Sequence, residues 1–205
     1  MSGWSLFKNR NFTYFLAARF CAALSTMMIG VAVGWQVYSL THSVFALGMV
    51  GLAQFLPALA FALPGGIVAD KIDRRYIILS VFAAECVVAL LLLLFSISLL
   101  STVYPIFILL VFMGAGRSFL APASQSFLPF IVSEEDFPRA VAWSSTAFQC
   151  ATIAGPALGG FIYAAGAEWV YGTAAFLLLA AVVFVSLMKG HWKVHSSSAK
   201  WMDIF

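Results

Sequence analysis

Three ionisable side chains lie inside long apolar stretches of this sequence, where a charged group is costly. Glu85 lies about nine residues into an apolar run that begins near Tyr76, and Arg19 and Arg117 lie inside two other runs. A carboxyl group in such surroundings is protonated or pairs with a cation. Glu85 could therefore carry a proton or bind a cationic ligand. The alternative is a protonated Glu85 that makes a purely structural hydrogen bond.

The two arginines also allow a functional and a structural interpretation. Arg19 lies near the start of its run, so its guanidinium could extend past the end of the apolar stretch and reach water. Arg117 follows Gly114-Ala115-Gly116, where the backbone of a neighbouring helix can come close. It could take part in coupling, or it could pair with Asp70 or with a loop carboxylate. The sequence leaves both interpretations open.

The composition identifies the surroundings of these groups as a membrane. Of the 205 residues, 63% are hydrophobic and 9% are charged, whereas a soluble protein has about 25% charged residues. The net charge of +3 does not indicate nucleic-acid binding, because the cations cluster at the ends of the apolar stretches. No metal-binding set, cofactor motif or catalytic set is recognisable, so we expect neither a metal nor a cofactor.

Six apolar segments are long enough to be membrane-spanning helices. Their approximate ranges are 12–40, 45–69, 76–99, 104–124, 140–164 and 169–188. Residues 1–11 are predicted to be an interfacial lead-in, residues 129–139 a water-exposed connection, and residues 189–205 a tail or the start of a central loop. Lys and Arg outside the segments all fall on one side, which predicts that both ends are cytoplasmic.

The segments show an internal repeat. The pair Gly65-Gly66 near the end of the second segment returns as Gly159-Gly160 near the end of the fifth, 94 positions later. We therefore predict a first three-helix repeat over 12–99 and a second over 100–188. An odd number of spans in each unit inverts the second unit relative to the first.

The loop after the second segment resembles the signature loop between helices 2 and 3 of major facilitator superfamily transporters. The matching positions are Gly66, Ala69, Asp70, Arg74 and Arg75, with Lys71 in place of the usual arginine. Asp73 stands where glycine is usual, and because Asp tolerates a left-handed backbone we expect the turn to be kept. The alternative is an ordinary basic loop.

The fifth segment carries a second resemblance. Gly155, Pro156, Gly159 and Gly160 match the G-P-x-x-G-G core of the helix-5 motif that is associated with efflux antiporters of the same superfamily. Small residues let two helices approach closely, and proline removes a backbone donor. Plain helix packing without any meaning for transport direction is the alternative, and the two are compatible.

The resemblance covers about residues 10–190 and is to the N-terminal half of a transporter that has about twelve helices in two halves. It implies an all-α membrane protein whose six transmembrane helices form two inverted three-helix repeats. By the same resemblance Asp70, Arg74 and Arg75 gate the cytoplasmic side against the missing C-terminal half or a second copy. Gln36, Gln54 and Gln149 could line a central cavity or make interhelical hydrogen bonds.

The resemblance is closest to bacterial drug- and siderophore-exporting members. It implies a non-enzymatic secondary transporter of the bacterial inner membrane that exports a small hydrophobic or amphipathic molecule against proton influx. Neither nucleic acid nor a cofactor is an expected partner; the lipid bilayer is. The alternative is a non-transporting truncated fragment or membrane assembly partner in which Glu85 and Arg117 are structural only.

Overall fold

The computed structural model describes residues 3–98 and 102–189, and its regular secondary structure in those ranges is helical. A short 3₁₀ helix, Gly3–Lys8, precedes seven α-helices: α1 (Arg10–Thr41), α2 (Val44–Ala60), α3 (Ala62–Lys71), α4 (Arg74–Ile97), α5 (Tyr104–Ile131), α6 (Phe137–Tyr163) and α7 (Ala167–Leu187). The helices correspond to the six predicted segments, with the second divided into α2 and α3. Apart from Lys189, the predicted tail lies outside the described residues.

The division of the second segment has a local cause. The axes of α2 and α3 differ by 50° at a break after Ala60. Pro64 has no N–H to donate to the carbonyl of Ala60, and its ring clashes with that carbonyl, so the helix cannot continue regularly. The predicted kink therefore lies one turn before Pro64, whereas Pro57 is accommodated inside α2.

The helix dimensions agree with a multi-pass membrane protein. In the described ranges α1, α4, α5 and α7 are each long and apolar enough to cross a membrane, and the bent pair α2–α3 is a fifth candidate. Helix α6 has 27 residues, about 40 Å at 1.5 Å per residue, which is long enough to span a membrane. Its serine, threonine and glutamine residues keep its mean hydropathy below that of the other candidates. The prediction of six spans is compatible with this arrangement.

The connection between α5 and α6 is shorter than predicted. We expected the fourth segment to end near Ser124 and residues 129–139 to be exposed, but α5 continues to Ile131 and α6 begins at Phe137. Pro122 and Pro129 do not end the helix, because Leu128 and Ile131 are buried and anchor its last turns. Only the five residues between the two helices form the connection, and they carry the exposed Glu134 and Glu135.

Helix packing repeats with the predicted symmetry. Helix α1 packs mainly on α6 and α7, while α5 packs on α2, α3 and α4, and α4 packs on α7. Exchanging the first three spans with the last three leaves this set of neighbours unchanged. The glycine pairs agree with it. A Cβ on Gly65 would lie 2.5 Å from the Ser118 carbonyl of α5, one on Gly159 would lie 3.0 Å from Met28 of α1, and Gly66 and Gly160 both face open space.

The start of α1 lies beside the ends of α5 and α7, which the sequence placed on the same side of the membrane. Asn9 caps α1 and donates from Nδ2 to the carbonyl of Ile131 at the end of α5 (2.6 Å). Asn11 exchanges two hydrogen bonds with the backbone of Lys189 just after α7, at 2.9 and 3.1 Å. We call this side, with the starts of α1 and α4 and the ends of α5 and α7, the basic face.

Candidate functional site

The three ionisable residues singled out in the sequence line one cavity. It has a volume of about 450 Å³ and lies between α1, α4, α5 and α6. From the basic-face ends of their helices, Arg19 lies about 14 Å, Glu85 about 17 Å and Arg117 about 21 Å along the axis, at 1.5 Å per residue. These depths place the group near the middle of a bilayer about 30 Å thick. The other lining residues are Ala22, Ala23, Thr26, Met27, Phe82, Leu120, Ala121, Ser124, Gln125 and Phe148.

Glu85 is the most deeply buried member of this group. Its side chain is 3% exposed, and its Oε2 atom accepts no hydrogen bond from any residue in the described ranges. Arg117 is the charged residue that acts on it electrostatically. The two do not form an ion pair within 4 Å: in the described part of the chain the one ion pair joins Arg139 and Asp136, at 3.4 Å. Glu85 is thus a buried carboxyl group with an unused acceptor that faces a cavity.

Arg19 is held by a residue that the sequence analysis did not identify. Its Nη1 donates a 2.6 Å hydrogen bond to Ser144 Oγ on α6, and its guanidinium lies 5.6 Å from the centre of the Phe15 ring. A second cavity of about 340 Å³ lies on the α6 side of Arg19, lined also by Ser145, Phe148 and Gln149. Arg19 therefore lines both cavities and does not extend to the basic face. A polar residue on α6 was the only available sequence signal, and α6 has many.

Arg117 has neither a hydrogen bond nor an ion pair with the residues that the structure describes. The expected close approach at the preceding glycines is present: a Cβ on Gly114 would collide with the Gln54 carbonyl of α2, and one on Gly116 would lie 3.3 Å from Val81 of α4. The alternative pairing with Asp70 or a loop carboxylate is not formed in the described part of the chain, where Asp70 is exposed on α3 and the ion pair is that of Arg139 with Asp136. The guanidinium of Arg117 remains available to the cavity.

The two arginines of the signature loop make hydrogen bonds to other helices of the described chain. Arg74 donates from Nε to Ser126 Oγ (2.8 Å) and stacks 4.7 Å from the Phe130 ring, both on α5. Arg75 donates from Nε and Nη2 to the carbonyls of Val185 (3.1 Å) and Ser186 (2.9 Å) at the end of α7. The loop thus joins α4 to α5 and α7.

Asp73 does not adopt the left-handed backbone that we expected. Its φ is −55° and its ψ is 119°, and its carboxylate accepts the N–H of Arg75 (2.9 Å) as the N-cap of α4. A carboxylate at the glycine position removes the need for a left-handed turn, because it satisfies a free N–H at the helix start. Asp70 and Lys71 are exposed and make no hydrogen bond or ion pair in the described ranges.

The helix-5 motif contacts α1 closely. A Cβ on Gly155 would lie 2.5 Å from Met27 Cβ, and Gly159 meets Met28, while Pro156 is exposed. This is the packing use predicted for the motif. Of the three glutamines, Gln36 is buried and accepts a 2.7 Å hydrogen bond from Tyr171 of α7, as the structural alternative predicted. Gln149 instead lines the second cavity, and Gln54 is half-buried beside Gly114.

Comparison with known proteins gives the same family. The sequence model of the family described as "Transmembrane secretion effector" matches residues 1–204. The chain is 31% identical over 183 residues to the enterobactin exporter EntS of Salmonella typhimurium, and 30% identical to those of Citrobacter koseri and Escherichia coli O1:K1. Each alignment covers 83% of this chain and 40% of the relative, so the chain spans about two fifths of the relatives' length. This chain is a multi-pass membrane protein that belongs to the transmembrane secretion effector family of the major facilitator superfamily.

Proposed function

We propose that the chain is one half of a secondary transporter that exports a small hydrophobic or amphipathic molecule in exchange for protons. The observation that carries this is the cavity in which Glu85, Arg19 and Arg117 meet near the middle of the membrane. Ionisable residues at that depth are costly, and they mark ion and substrate pathways. The similarity to enterobactin exporters favours export of a siderophore or drug-like compound. No enzymatic role is proposed.

Glu85 is the proton site in this proposal. An ionised Glu85 is attracted to Arg117, whereas a protonated Glu85 leaves Arg117 free. The two protonation states therefore differ in the charge of the cavity and in the acceptor that Oε2 offers. A carboxyl group that exchanges protons with each side in turn would link proton influx to substrate export.

Replacement of Glu85 tests this role. Everted membrane vesicles that contain the protein are given an acidic interior, and uptake of the neutral amphipathic dye N-phenyl-1-naphthylamine is followed by fluorescence. We expect Glu85→Gln to reduce gradient-driven uptake at least about tenfold, because the amide cannot exchange a proton. Arg139→Gln, at an exposed position of α6, is the matched control. Equal and measurable gradient-driven uptake by Glu85→Gln and the unchanged protein contradicts the proton role.

The proposal also requires a second half. Helices α2, α3 and α6 bury few side chains, and α6 leaves Ser145, Thr146, Gln149 and Cys150 exposed. Polar side chains do not favour lipid, so we propose that this face is covered by the C-terminal half or by a second copy of the chain. The exposed Asp70 and Lys71 would meet it at the basic face and, with Arg74 and Arg75, control closure on the cytoplasmic side. The basic face would then be cytoplasmic, in a bacterial inner membrane.

The cysteines of the chain allow a test of whether a second copy of the chain covers the polar face of α6. Cys150 is exposed on α6, whereas Cys86 is buried and Cys21 is half-buried on α1. If two copies pack through α6, mild oxidation of membranes gives a covalent dimer, and Cys150→Ser abolishes it. A protein that stays monomeric after oxidation, and in cross-linking through added cysteines at Ser145 or Thr146, has another partner on this face. The second candidate is a non-transporting fragment or membrane assembly partner, in which Glu85 and Arg117 are structural only. It predicts no dye uptake by the chain alone or together with a second half or copy.

A further inference from the structure

We propose that the basic face carries a binding site for the headgroup of an anionic phospholipid, at the edge where the start of α1 meets the end of α7. Four residues form this site, which we call the α1–α7 edge: Arg10 and Tyr14 of α1, Phe184 of α7, and Lys189 just after α7. The edge shares no lining residue with the cavity in the middle of the membrane. The proposal therefore depends neither on the transported molecule nor on the coupling ion.

Contacts with α7 fix the position of Arg10. Its Nη2 donates a 3.3 Å hydrogen bond to the hydroxyl of Tyr14. The ring of Tyr14 in turn stacks on Phe184 of α7, with 6.2 Å between ring centres and 14° between ring planes. Because Tyr14 accepts this bond, its own O–H remains a donor without a partner in the described chain. Arg10 is exposed and makes no ion pair there.

A second cation, Lys189, lies beside Arg10. Asn11, the next residue after Arg10, exchanges hydrogen bonds with the backbone carbonyl and N–H of Lys189, at 2.9 and 3.1 Å. The side chain of Lys189 is exposed and has no ion pair in the described ranges. Arg139, near the start of α6 on the same face, differs because its guanidinium pairs with Asp136 at 3.4 Å. The α1–α7 edge thus holds two neighbouring cations and no anion.

The surface that runs from this edge toward the middle of the membrane is apolar. Exposed hydrophobic side chains follow one another along α7 at helical spacing, in the order Leu187, Val183, Leu179 and Phe176 from the basic-face end. The exposed part of α6 carries serine, threonine and glutamine instead. The outer face of α7 is therefore suited to acyl chains, which are as apolar as leucine. A headgroup bound at the edge places its acyl chains along this stripe.

The charges of the edge select the type of headgroup. A guanidinium can donate to two oxygens of a phosphate, and an ammonium adds a point charge and further donors. Basic pockets between helices at the membrane surface bind anionic headgroups in this way. The ammonium of a zwitterionic headgroup would be repelled by Arg10 and Lys189. We therefore expect phosphatidylglycerol, whose headgroup carries only the negative phosphate, to bind in preference to phosphatidylethanolamine.

Native mass spectrometry of the full chain in mild detergent tests this preference. The protein is titrated with each of the two lipids, and the bound lipids are counted. We expect the first phosphatidylglycerol to bind at least about fivefold more tightly than the first phosphatidylethanolamine. Arg10→Gln and Lys189→Gln should each weaken phosphatidylglycerol binding at least about threefold, because each removes a charge-assisted contact. Tyr14→Phe keeps the ring stack and should weaken binding less.

Arg139→Gln is the matched control, because it removes the same charge from the same face at a position that already has a carboxylate partner. It should leave phosphatidylglycerol binding unchanged. A loss equal to that of Arg10→Gln would mean that the charge of the whole face attracts the lipid, and this overturns the proposal. Equal affinity for the two lipids overturns it as well. Circular dichroism in the same detergent checks that each variant keeps its helices.

Two measurements on the unchanged protein locate the lipid and identify its source. Phosphatidylglycerol with a diazirine in its acyl chain is photo-crosslinked, and the labelled peptides should include Val183 and Leu187. Labels confined to other helices contradict a site at the α1–α7 edge. Inorganic phosphate should not displace the bound lipid beyond the effect of sodium chloride at equal ionic strength. Displacement by phosphate alone would indicate a site for a free anion and would overturn the assignment to a lipid.

Discussion

The arginines of the signature loop and those of the cavity differ in how fully their donors are used. Arg75 donates two hydrogen bonds to the end of α7, and Arg74 donates one to α5 and stacks on an aromatic ring. Arg117, although deeper, has no such partner in the described chain, and the buried Oε2 of Glu85 has none either. The arginines of the loop hold helices together through hydrogen bonds. Those of the cavity, with Glu85, keep donors and an acceptor that have no partner in the described chain.

The difference separates a region whose polar contacts stabilise the fold from a region whose polar groups are available to a ligand. A hydrogen bond to a charged group contributes about 1.5–3 kcal/mol, and a buried polar group without a partner costs about 1–3 kcal/mol. The loop gains stability from its charges, while the cavity loses stability through them. Substitutions in the two regions should therefore change the free energy of unfolding in opposite directions.

The largest loss is expected at Arg75. Arg75→Gln removes two charge-assisted hydrogen bonds to the carbonyls of Val185 and Ser186, and should lower the free energy of unfolding by about 2 kcal/mol. Unfolding by sodium dodecyl sulfate, followed by circular dichroism in mild detergent, measures this. Lys71→Gln, an exposed cation of the same loop, is the control and should change little. A loss of the same size in both variants would mean that loop charge, not these two bonds, matters.

A smaller loss is expected at Asp73. Asp73→Ala removes the N-cap of α4 and should cost about 1 kcal/mol, measured by the same titration. Asp73→Asn should recover most of it, because the amide oxygen can also accept the N–H of Arg75. Should Ala and Asn behave alike, the carboxylate does not act as a cap. Asp70→Ala removes an exposed carboxylate and serves as the matched control.

The smallest change, and of opposite sign, is expected in the cavity. Glu85→Gln replaces a buried carboxyl group with a neutral amide of the same shape, so the free energy of unfolding should stay the same or rise by about 1 kcal/mol. The detergent titration again gives the value. A loss of about 2 kcal/mol or more would show that Glu85 is a structural residue, and the contrast between the two regions would disappear.

The sequence predicts the positions of these residues along the membrane better than their neighbours. Helical counting from the start of its apolar segment places Glu85 about 14 Å deep, close to the depth of about 17 Å found along α4, because the rise per residue is nearly constant. The same count fails for Arg117, because α5 ends at Ile131 and not near Ser124. The convergence of the cavity residues depends on how α1, α4 and α5 are rotated and packed, which no local pattern encodes. Ser144 illustrates the limit: nothing distinguishes it from the other serines of α6 until Arg19 lies opposite.

Local rules also failed where tertiary packing outweighed them. The fourth apolar segment was expected to end near Ser124, but buried side chains in the last turns continue α5 to Ile131. Asp73 was expected to copy the backbone of a glycine and instead uses its side chain as a cap. The close approach at Gly155 and Gly159 was predictable because two helices can come so near only where a side chain is very small, and the sequence records that directly.

The exchange of neighbours between the two triplets of spans has a consequence for biosynthesis. The first three spans touch one another only lightly; their extensive contacts are with α5, α6 and α7. A nascent chain that has inserted α1 to α4 therefore exposes helix faces whose partners have not yet been translated. Completion of packing must wait until α7 leaves the ribosome, and Asn11 can meet Lys189 only then. A polypeptide stopped after Ile97 would be inserted but unassembled, and the quality-control proteases of the membrane would recognise it as unfinished.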